Sequence, residues 1–229
     1  MNELLSISLL PAALTLLAYR IAAKVQQKIK SPLCNPILVA VLLVLLFMGI
    51  TGLELPAYQS GVSYLSWLIT PATVCLAISM YEQFQVLRKN TTVILVGVAA
   101  GAVSCLITVL VLCLLFGFDR TLTVSLLPKS VTTAIGVPLS QMAGGLSPVT
   151  TAVIILTGIT ANVLGPALCR LFRLEDEVAR GAAFGTSGHV IGTAKATELS
   201  PLTGAVSSLS LVVAGLLTAI VLPILANFI

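Results

Sequence analysis

Charge is what this sequence has least of. Of its 229 residues, 12 are Lys or Arg and 8 are Asp or Glu, so 9% are charged, against roughly a quarter in a typical soluble domain. Hydrophobic residues make up 58% of the chain, and the mean hydropathy is +1.11. The charges leave long uncharged tracts over 31–53, 55–81, 91–118, 130–169 and 199–229. This composition excludes a soluble globular domain and indicates an integral membrane protein.

Several kinds of chemical site are also missing. The sequence has no phosphate-binding glycine loop with Lys-Ser/Thr, no Ser/His/Asp set, no paired acids and no Cys/His spacing typical of a metal site. The five cysteines, at 34, 75, 105, 113 and 169, are scattered through apolar tracts and are expected to be small buried hydrophobes. We therefore predict no enzymatic activity, no cofactor and no metal. The net charge of +4 is small and is concentrated in loops, so it does not predict nucleic-acid binding.

The apolar tracts predict an all-α polytopic protein made of a single membrane domain over 1–229. Because a helix needs about 20 apolar residues to span the hydrocarbon, the chain has room for about seven or eight membrane segments. We place them near 4–23, 34–51, 61–82, 91–117, 122–143, 148–171, 180–197 and 203–228.

The basic residues predict the orientation of these segments. The first apolar stretch precedes Arg20, Lys24 and Lys28, whereas a secretory signal carries its positive charge before the apolar stretch. We expect a retained first helix whose basic end lies in the cytoplasm. Arg170 and Arg173 reach the same side only if segment five does not cross fully. A re-entrant segment five would favour an inverted repeat, with halves of approximately 1–118 and 119–229.

Helix-breaking residues concentrate in segments three, five and seven. Segment three contains Pro71, segment five contains Pro128 and Pro138, and segment seven contains Gly185, Gly188 and Gly192. All three segments also contain many Ser and Thr. Unpaired backbone groups in lipid cost several kcal/mol each, so breaks at membrane depth indicate a polar interior. The alternative is that the glycines only allow close helix packing and the prolines make ordinary kinks.

The first candidate site is the tract Pro128-Lys129-Ser130-Val131-Thr132-Thr133. If a helix begins at Pro128, its free N–H groups and the positive end of its dipole favour an anion. Lys129 adds a full positive charge, and Ser130, Thr132 and Thr133 can donate hydrogen bonds to a carboxylate. In the alternative interpretation, Lys129 extends to the headgroups and the hydroxyls bond to their own helix.

The second candidate is the small-residue tract 185–194, which contains His189, the only histidine. Small residues let backbone approach a ligand or another helix closely, and Thr186, Ser187 and Thr193 are candidate substrate-binding residues. His189 is a candidate proton-coupling group. Alternatively, it is a structural histidine that donates to a neighbouring carbonyl. Lys195 and Glu198 are spaced as a surface ion pair.

The third candidate surrounds Pro71, where Thr70 and Thr73 offer polar groups at one depth beside a freed carbonyl. These two threonines complete the predicted substrate-binding set. The intramembrane amides Asn35 and Asn162 are expected to bridge helices.

The same tracts resemble the LrgB/CidB family. The resemblance covers essentially the whole chain and rests on the Pro-Lys-Ser-Val-Thr-Thr tract at 128–133, on His-x-x-Gly-Thr-Ala at 189–194 and on the stretches around 32–36, 71–83 and 204–209. It implies a bacterial inner-membrane protein that works with a small LrgA/CidA-type membrane subunit. The family is described as antiholin-like modulators of murein hydrolases, while chloroplast relatives exchange glycolate and glycerate and several bacterial pairs are associated with pyruvate.

Together these observations favour a secondary transporter of small monocarboxylates in which Lys129 binds the carboxylate, and we expect proton coupling and homo-oligomeric assembly. One alternative is an antiholin-like regulator of autolysis that acts through holin-like membrane assemblies. A further alternative is the scaffold half of a two-subunit carrier, which would transport only when its partner is present.

Overall fold

The computed structural model describes residues 2–28, 36–68, 71, 74–75, 78 and 81–228, and within these ranges the chain is helical and contains no strand. The prediction of an all-α membrane protein is confirmed. Ten helices are defined in the described residues: α1 (Asn2–Lys28), α2 (Pro36–Thr51), α3 (Leu55–Ser66), α4 (Phe84–Lys89), α5 (Thr91–Leu115), α6 (Arg120–Leu126), α7 (Thr133–Met142), α8 (Ser147–Leu171), α9 (Glu177–Leu199) and α10 (Pro201–Ala226).

Three helices in the described part of the chain, α5, α8 and α10, are long and apolar enough to cross a membrane. Each has 25 or 26 residues, and a helix of that length extends about 37 Å, more than the roughly 30 Å of hydrocarbon. The shorter helix α2 is also apolar. The predicted total of seven or eight membrane segments stays a prediction.

The chain divides into two compact units, 1–75 and 76–229. In the first unit, α1 packs against α2 and α3. The hydroxyls of Thr15 and Tyr58 lie 2.7 Å apart and join α1 to α3. Gly61 gives α1 room, because a Cβ at this position would lie 2.9 Å from the Cβ of Pro11.

The core of the second unit lies where α5 packs against α9 and α10. Ile94, Val98 and Ala102 share one face of α5 and are buried in a cluster with Val206 and Ala214 of α10. Lipid tails are as apolar as these side chains, so close van der Waals packing holds the helices together rather than exclusion of water.

The basic loops of the second unit lie at one end, which we call the basic end. Val93 and Ile94, just after Arg88 and Lys89, line the same cavity as Leu174, which follows the end of α8. Val178, just after the loop that follows α8, packs against the cluster that contains Leu87 and Ile94. The end of α8 therefore lies on the same side as the start of α5, and the two helices run in opposite directions.

Segment five is broken, as predicted, and forms a hairpin of α6, a turn at 127–132 and α7. It begins shortly after α5 ends, and only the turn at 143–146 separates its end from the start of α8. Both of its ends therefore lie at the end of the unit opposite the basic end. The Leu146 N–H donates to Ser125 Oγ at 2.7 Å and joins the last turn of α6 to the segment that precedes α8.

The structure corrects the expected helix start at Pro128. The N–H groups of Lys129 and Val131 donate to carbonyls three residues back, at Leu126 and Pro128, which makes turns rather than an α-helix. Thr132 is extended, with φ −67° and ψ 151°, and α7 begins at Thr133. The Thr132 side chain makes no capping hydrogen bond to α7, so the turns that follow Pro128, rather than a cap, separate α7 from α6.

Segment seven also folds back on itself. The helical run of α9 is interrupted at His189, whose φ is 42° and ψ −139°. A Cβ on Gly192 would lie 2.8 Å from the Phe184 carbonyl oxygen, whereas residues eight apart in a straight helix are separated by about 12 Å. The two arms, 177–188 and 190–199, form a second hairpin with His189 at its tip.

Contacts with α10 confirm that both arms pack against the same part of that helix. A Cβ on Gly181 of the first arm would lie 2.6 Å from the Val206 Cβ, and one on Gly204 would lie 2.8 Å from the Thr197 Cα of the second arm. Since α9 starts after the basic end of α8, the second hairpin enters from the basic end. The two hairpins therefore enter the second unit from opposite ends.

Candidate functional site

Lys129 lies at the tip of the first hairpin, and its position is fixed by a short chain of polar contacts. Its Nζ donates to Ser130 Oγ at 3.2 Å, and that oxygen lies 3.2 Å from Cys105 Sγ on α5. Cys105 is near the middle of the 25-residue helix α5. The half-buried Lys129 is thus at the depth of the helix centre rather than at a helix end, where a snorkelling lysine would lie.

A cavity of about 540 Å³ extends along α5 from this tip to the basic end. One wall is α5 and another is the first arm of the second hairpin. Five of its lining residues carry polar or charged side chains apart from cysteine: Lys129, Ser130, Asp176, Thr186 and Ser187. The remaining walls are formed by Val93, Ile94, Gly97, Gly101, Cys105, Leu174, Val178, Ala179, Ala182 and Ala183.

Thr186 brings the second hairpin to the same place. Its side chain is 7% exposed, and its Oγ1 has no hydrogen-bond partner among the residues that the structure describes. Thr186 also lines a void of about 10 Å³ together with Ser130 and Thr218, so the two hairpins meet here. A buried hydroxyl without a partner costs about 1–3 kcal/mol, which is typical of a group kept for a ligand or a water molecule.

Glycine on α5 makes this approach possible. A Cβ on Gly101 would lie 3.0 Å from Thr186 Cγ2, whereas a Cβ on Gly97 would have no atom within 4 Å. Gly101 therefore lets the second hairpin lie close to α5, and Gly97 leaves open space in the cavity wall.

The predicted site residues divide into two groups. Lys129, Ser130, Thr186 and Ser187 line the cavity, although the exposed Ser187 donates its hydroxyl to the Ala183 carbonyl at 2.6 Å. The other predicted residues lie elsewhere or outside the described part of the chain. Thr132 is half-buried and Thr133 is exposed at the start of α7, and Thr193 is buried inside the second hairpin. Pro71 is exposed. Three further residues fall outside the described part of the chain: Thr70, Thr73 and Asn35.

His189 packs against α8 rather than lining the cavity. It is 4% exposed, and its Nε2 lies 2.8 Å from the Ile154 carbonyl oxygen. Because a carbonyl only accepts, Nε2 carries the hydrogen and donates it. Gly158 leaves room for the ring, since a Cβ there would lie 2.6 Å from His189 Cε1. This hydrogen bond places the ring at the middle of α8.

The backbone at His189 is strained, and side chains compensate the groups that the break frees. A non-glycine residue at φ 42° costs of order 1–3 kcal/mol, and such residues cluster at functional sites. Thr193 Oγ1 donates to the His189 carbonyl at 2.8 Å, and Asn162 Nδ2 donates to the Ile191 carbonyl at 3.1 Å. Asn162 thus bridges α8 and α9, as predicted.

The predicted helix-breaking glycines have a different role from the one expected. The break itself is at His189, while Gly185 and Gly188 lie where the first arm approaches its neighbours. A Cβ on Gly185 would lie 2.7 Å from Ser210 Cβ, and one on Gly188 would lie 2.6 Å from Ala161 Cβ. Pro128, predicted as a helix-breaking residue at a helix start, lies instead in the turn between α6 and α7. Lys195 and Glu198 form the expected exposed ion pair at 2.7 Å.

Three features of the cavity were not predicted from the sequence: Asp176, Cys105 and the open wall at Gly97. Asp176 precedes α9 and accepts the Ala179 N–H at 2.8 Å, a role that an Asp before a helical run signals. Gly97, Gly101 and Cys105 are spaced by four residues, which puts small side chains on one face of α5. This spacing could have predicted that one face of α5 leaves room for a neighbouring helix or a ligand.

Comparison with known proteins gives a consistent result along the whole chain. The model of a family described as LrgB-like matches residues 15–228. The chain is 32% identical over 225 residues to the holin-like protein CidB of Staphylococcus epidermidis, covering 98% of both chains, and 32% identical over 218 residues to that of Staphylococcus aureus, covering 95% of both. It is 36% identical over 215 residues to the uncharacterized protein YwbG of Bacillus subtilis, covering 94% of this chain and 96% of that one. No solved structure matches it.

Proposed function

The chain belongs to the LrgB-like family of membrane proteins, and from this membership and the cavity at Lys129 we propose that it is a secondary transporter of small monocarboxylates such as pyruvate, glycolate or glycerate. The observation that carries the proposal is that the tips of two opposed hairpins meet at a cavity lined by Lys129, at the depth of the middle of α5.

The depth of Lys129 supports binding of an anion. A charged side chain near the bilayer centre is costly and marks a substrate or ion pathway by default. Among the described residues, Lys129 is the one cation lining the cavity, and it contacts a hydroxyl rather than a carboxylate. A bound carboxylate supplies the missing negative charge and completes a charge-assisted hydrogen bond.

The hydroxyls beside Lys129 supply the remaining donors. Ser130 Oγ is 3.2 Å from the lysine Nζ, and the unpartnered Thr186 hydroxyl approaches from the second hairpin. One carboxylate would therefore receive hydrogen bonds from both hairpins. A substrate held by two separate elements favours one arrangement of them over another, which is how a ligand shifts a conformational equilibrium.

The opposed hairpins support alternating access. Transporters commonly place substrate near the midplane, between discontinuous helices that belong to inverted elements. The cavity extends to the basic end, which the positive-inside rule assigns to the cytoplasm. In this proposal the conformation is accordingly one in which the site faces the cytoplasm.

Further parts of the proposal come from the sequence and from the family resemblance. The protein resides in the bacterial inner membrane, has no enzymatic activity, assembles as a homo-oligomer and works with a small LrgA/CidA-type membrane subunit. In this proposal His189 couples uptake to protons, because it is the one histidine of the chain and lies at the tip of the second hairpin.

The test is uptake of labelled pyruvate and glycolate by proteoliposomes that contain the protein with or without its small partner subunit. Lys129→Met removes the charge but keeps much of the side-chain length, and uptake is expected to fall at least tenfold, because losing a charged hydrogen bond costs about 1.5–3 kcal/mol. Lys195→Met is the matched control, since Lys195 pairs with Glu198 outside the cavity. It should transport like the unaltered protein.

Equal uptake by the two variants would overturn the role of Lys129. Absence of organic-anion uptake under both conditions would overturn transport itself. Uptake only with the partner subunit would identify a two-subunit carrier.

A second candidate function is favoured by the names of the relatives. The staphylococcal proteins are called holin-like, and an antiholin-like regulator of autolysis would act through holin-like membrane assemblies, without a substrate site. Autolysis assays in cells separate the candidates. A regulator without a transport site predicts that Lys129→Met leaves autolysis unchanged, whereas a transporter whose substrate flux controls autolysis predicts that the variant behaves like a deletion.

A further inference from the structure

The cavity is polar at one end and apolar along most of its length. Lys129, Ser130 and Thr186 lie where the hairpins meet, whereas Val93, Ile94 and Val178 line the part toward the basic end. Along α5 the cavity extends from Val93 to Cys105, which is about 18 Å at the rise of a helix. A carboxylate seated at Lys129 therefore faces several ångströms of apolar wall.

Among the described residues, Lys129 and Asp176 are the two charged residues that line the cavity, and they lie at opposite ends of it. Asp176 lines the cavity beside Val178 and Ala179, at the start of the first arm, and Thr186 is ten residues further along that arm, or about 15 Å. Among the described residues, no second Lys or Arg lines the cavity. A second carboxylate on the ligand would thus face apolar wall or the acidic side chain of Asp176, and burying an unpaired charge is strongly unfavourable.

We propose that the site selects monocarboxylates by their apolar tail, so that acids longer than pyruvate bind more tightly and dicarboxylates are rejected. This inference rests on the proposed function, because the carboxylate seat is the same. It adds that the wall of α5 at Gly97 sets the chain length that the site accepts.

Gly97 is the position at which the wall can be changed without disturbing the fold. A Cβ there would meet no atom within 4 Å, and Gly97 lines the cavity, so a side chain added at this position starts in open space at the cavity wall. Gly49 of α2 is the matched control: it is also a helical glycine with no atom within 4 Å of an added Cβ, and it does not line this cavity.

The experiment measures how acetate, butyrate and hexanoate, and the dicarboxylate adipate, compete with labelled pyruvate in proteoliposomes, and how each acid shifts the melting temperature of the detergent-purified protein. Apparent affinity should increase from acetate to hexanoate by up to about fourfold per buried methylene. Adipate, which has the length of hexanoate with a second charge, should compete at least tenfold more weakly than hexanoate. In Gly97→Leu the dependence on length should disappear while acetate still binds, and Gly49→Leu should behave as the parent protein.

The outcomes separate this inference from the proposed function. Pyruvate uptake that all four acids inhibit equally, or a length dependence unaltered in Gly97→Leu, would overturn the inference and leave transport standing. Melting shifts that increase with chain length and vanish in Lys129→Met, without uptake of any acid, would support the ligand class and overturn transport. If no acid binds and none is taken up, both are wrong.

Discussion

At the scale of single residues, Thr186 is where stability and ligand binding are opposed. Its buried hydroxyl has no partner in the described part of the protein, although the side chain is packed against the α5 wall at Gly101. A protein selected for stability alone would place an apolar side chain here. From the sequence, Thr186 is one of several residues with a hydroxyl in a glycine-rich tract. Its lack of a hydrogen-bond partner could not be predicted, because partners depend on the tertiary structure.

Replacing Thr186 by valine should separate the two effects. Thr186→Val has nearly the same shape and removes a buried hydroxyl, so the melting temperature should stay the same or rise. The apparent affinity for pyruvate should fall about two- to thirteenfold, the value of one hydrogen bond of roughly 0.5–1.5 kcal/mol. Thr186→Ser keeps the hydroxyl and should retain the affinity. A lower melting temperature with unchanged affinity would show that the hydroxyl has a structural role only.

His189 permits a comparable separation of structure from proton coupling. In His189→Gln the side-chain amide can still donate to the Ile154 carbonyl but cannot be protonated at physiological pH. We expect pyruvate accumulation driven by a pH gradient to be lost, while exchange of labelled for unlabelled pyruvate continues. If the variant accumulates pyruvate against a gradient as well as the parent does, the coupling role is wrong and His189 is a structural residue.

At the scale of the helices, the sequence predicted the breaks better than it predicted their form. Pro128 and the hydroxyls that follow it correctly indicated an interrupted segment five, since proline cannot donate a backbone hydrogen bond. The glycines at 185, 188 and 192 indicated an unusual segment seven, but the reversal is at His189. A histidine with positive φ has no strong sequence signal, because contacts with α8 rather than its own backbone preference hold it there.

The two hairpins make a specific prediction about accessibility. Cysteines introduced at Glu177 and Leu199, at the two ends of the second hairpin, should react with a membrane-impermeant thiol reagent from the cytoplasmic side. Cysteines at Arg120 and Met142, at the ends of the first hairpin, should react only from the other side. The measurement is labelling in intact cells and in inverted vesicles, relative to the parent with its native cysteines. Reaction of Glu177 and Leu199 positions from opposite sides would mean that α9 crosses the membrane.

At the scale of the whole molecule, composition alone established the membrane class, and the resemblance of the tracts around Lys129 and His189 established the family that the comparisons confirm. The meeting of the hairpins could not be predicted, because it depends on how α5, α8 and α10 pack in the second unit. The small residues spaced by four on α5 let the second hairpin approach this helix, and this role can be recognised only in the structure, where Thr186 lies opposite Gly101. Roughly half of the predicted substrate-binding residues line the cavity, since hydroxyls close in sequence here point to different neighbours in space.

The proposed transport requires that the cavity hold an organic anion at Lys129, and occupancy can be measured without any driving gradient. A cysteine at Gly97 lies in the open wall of the cavity and should react with an impermeant thiol reagent from the cytoplasmic side at a rate above that of the parent. Pyruvate should slow this reaction several-fold, and the protection should vanish in Lys129→Met but persist in Lys195→Met. A reaction rate that pyruvate leaves unchanged, or protection that remains without the Lys129 charge, would contradict the account.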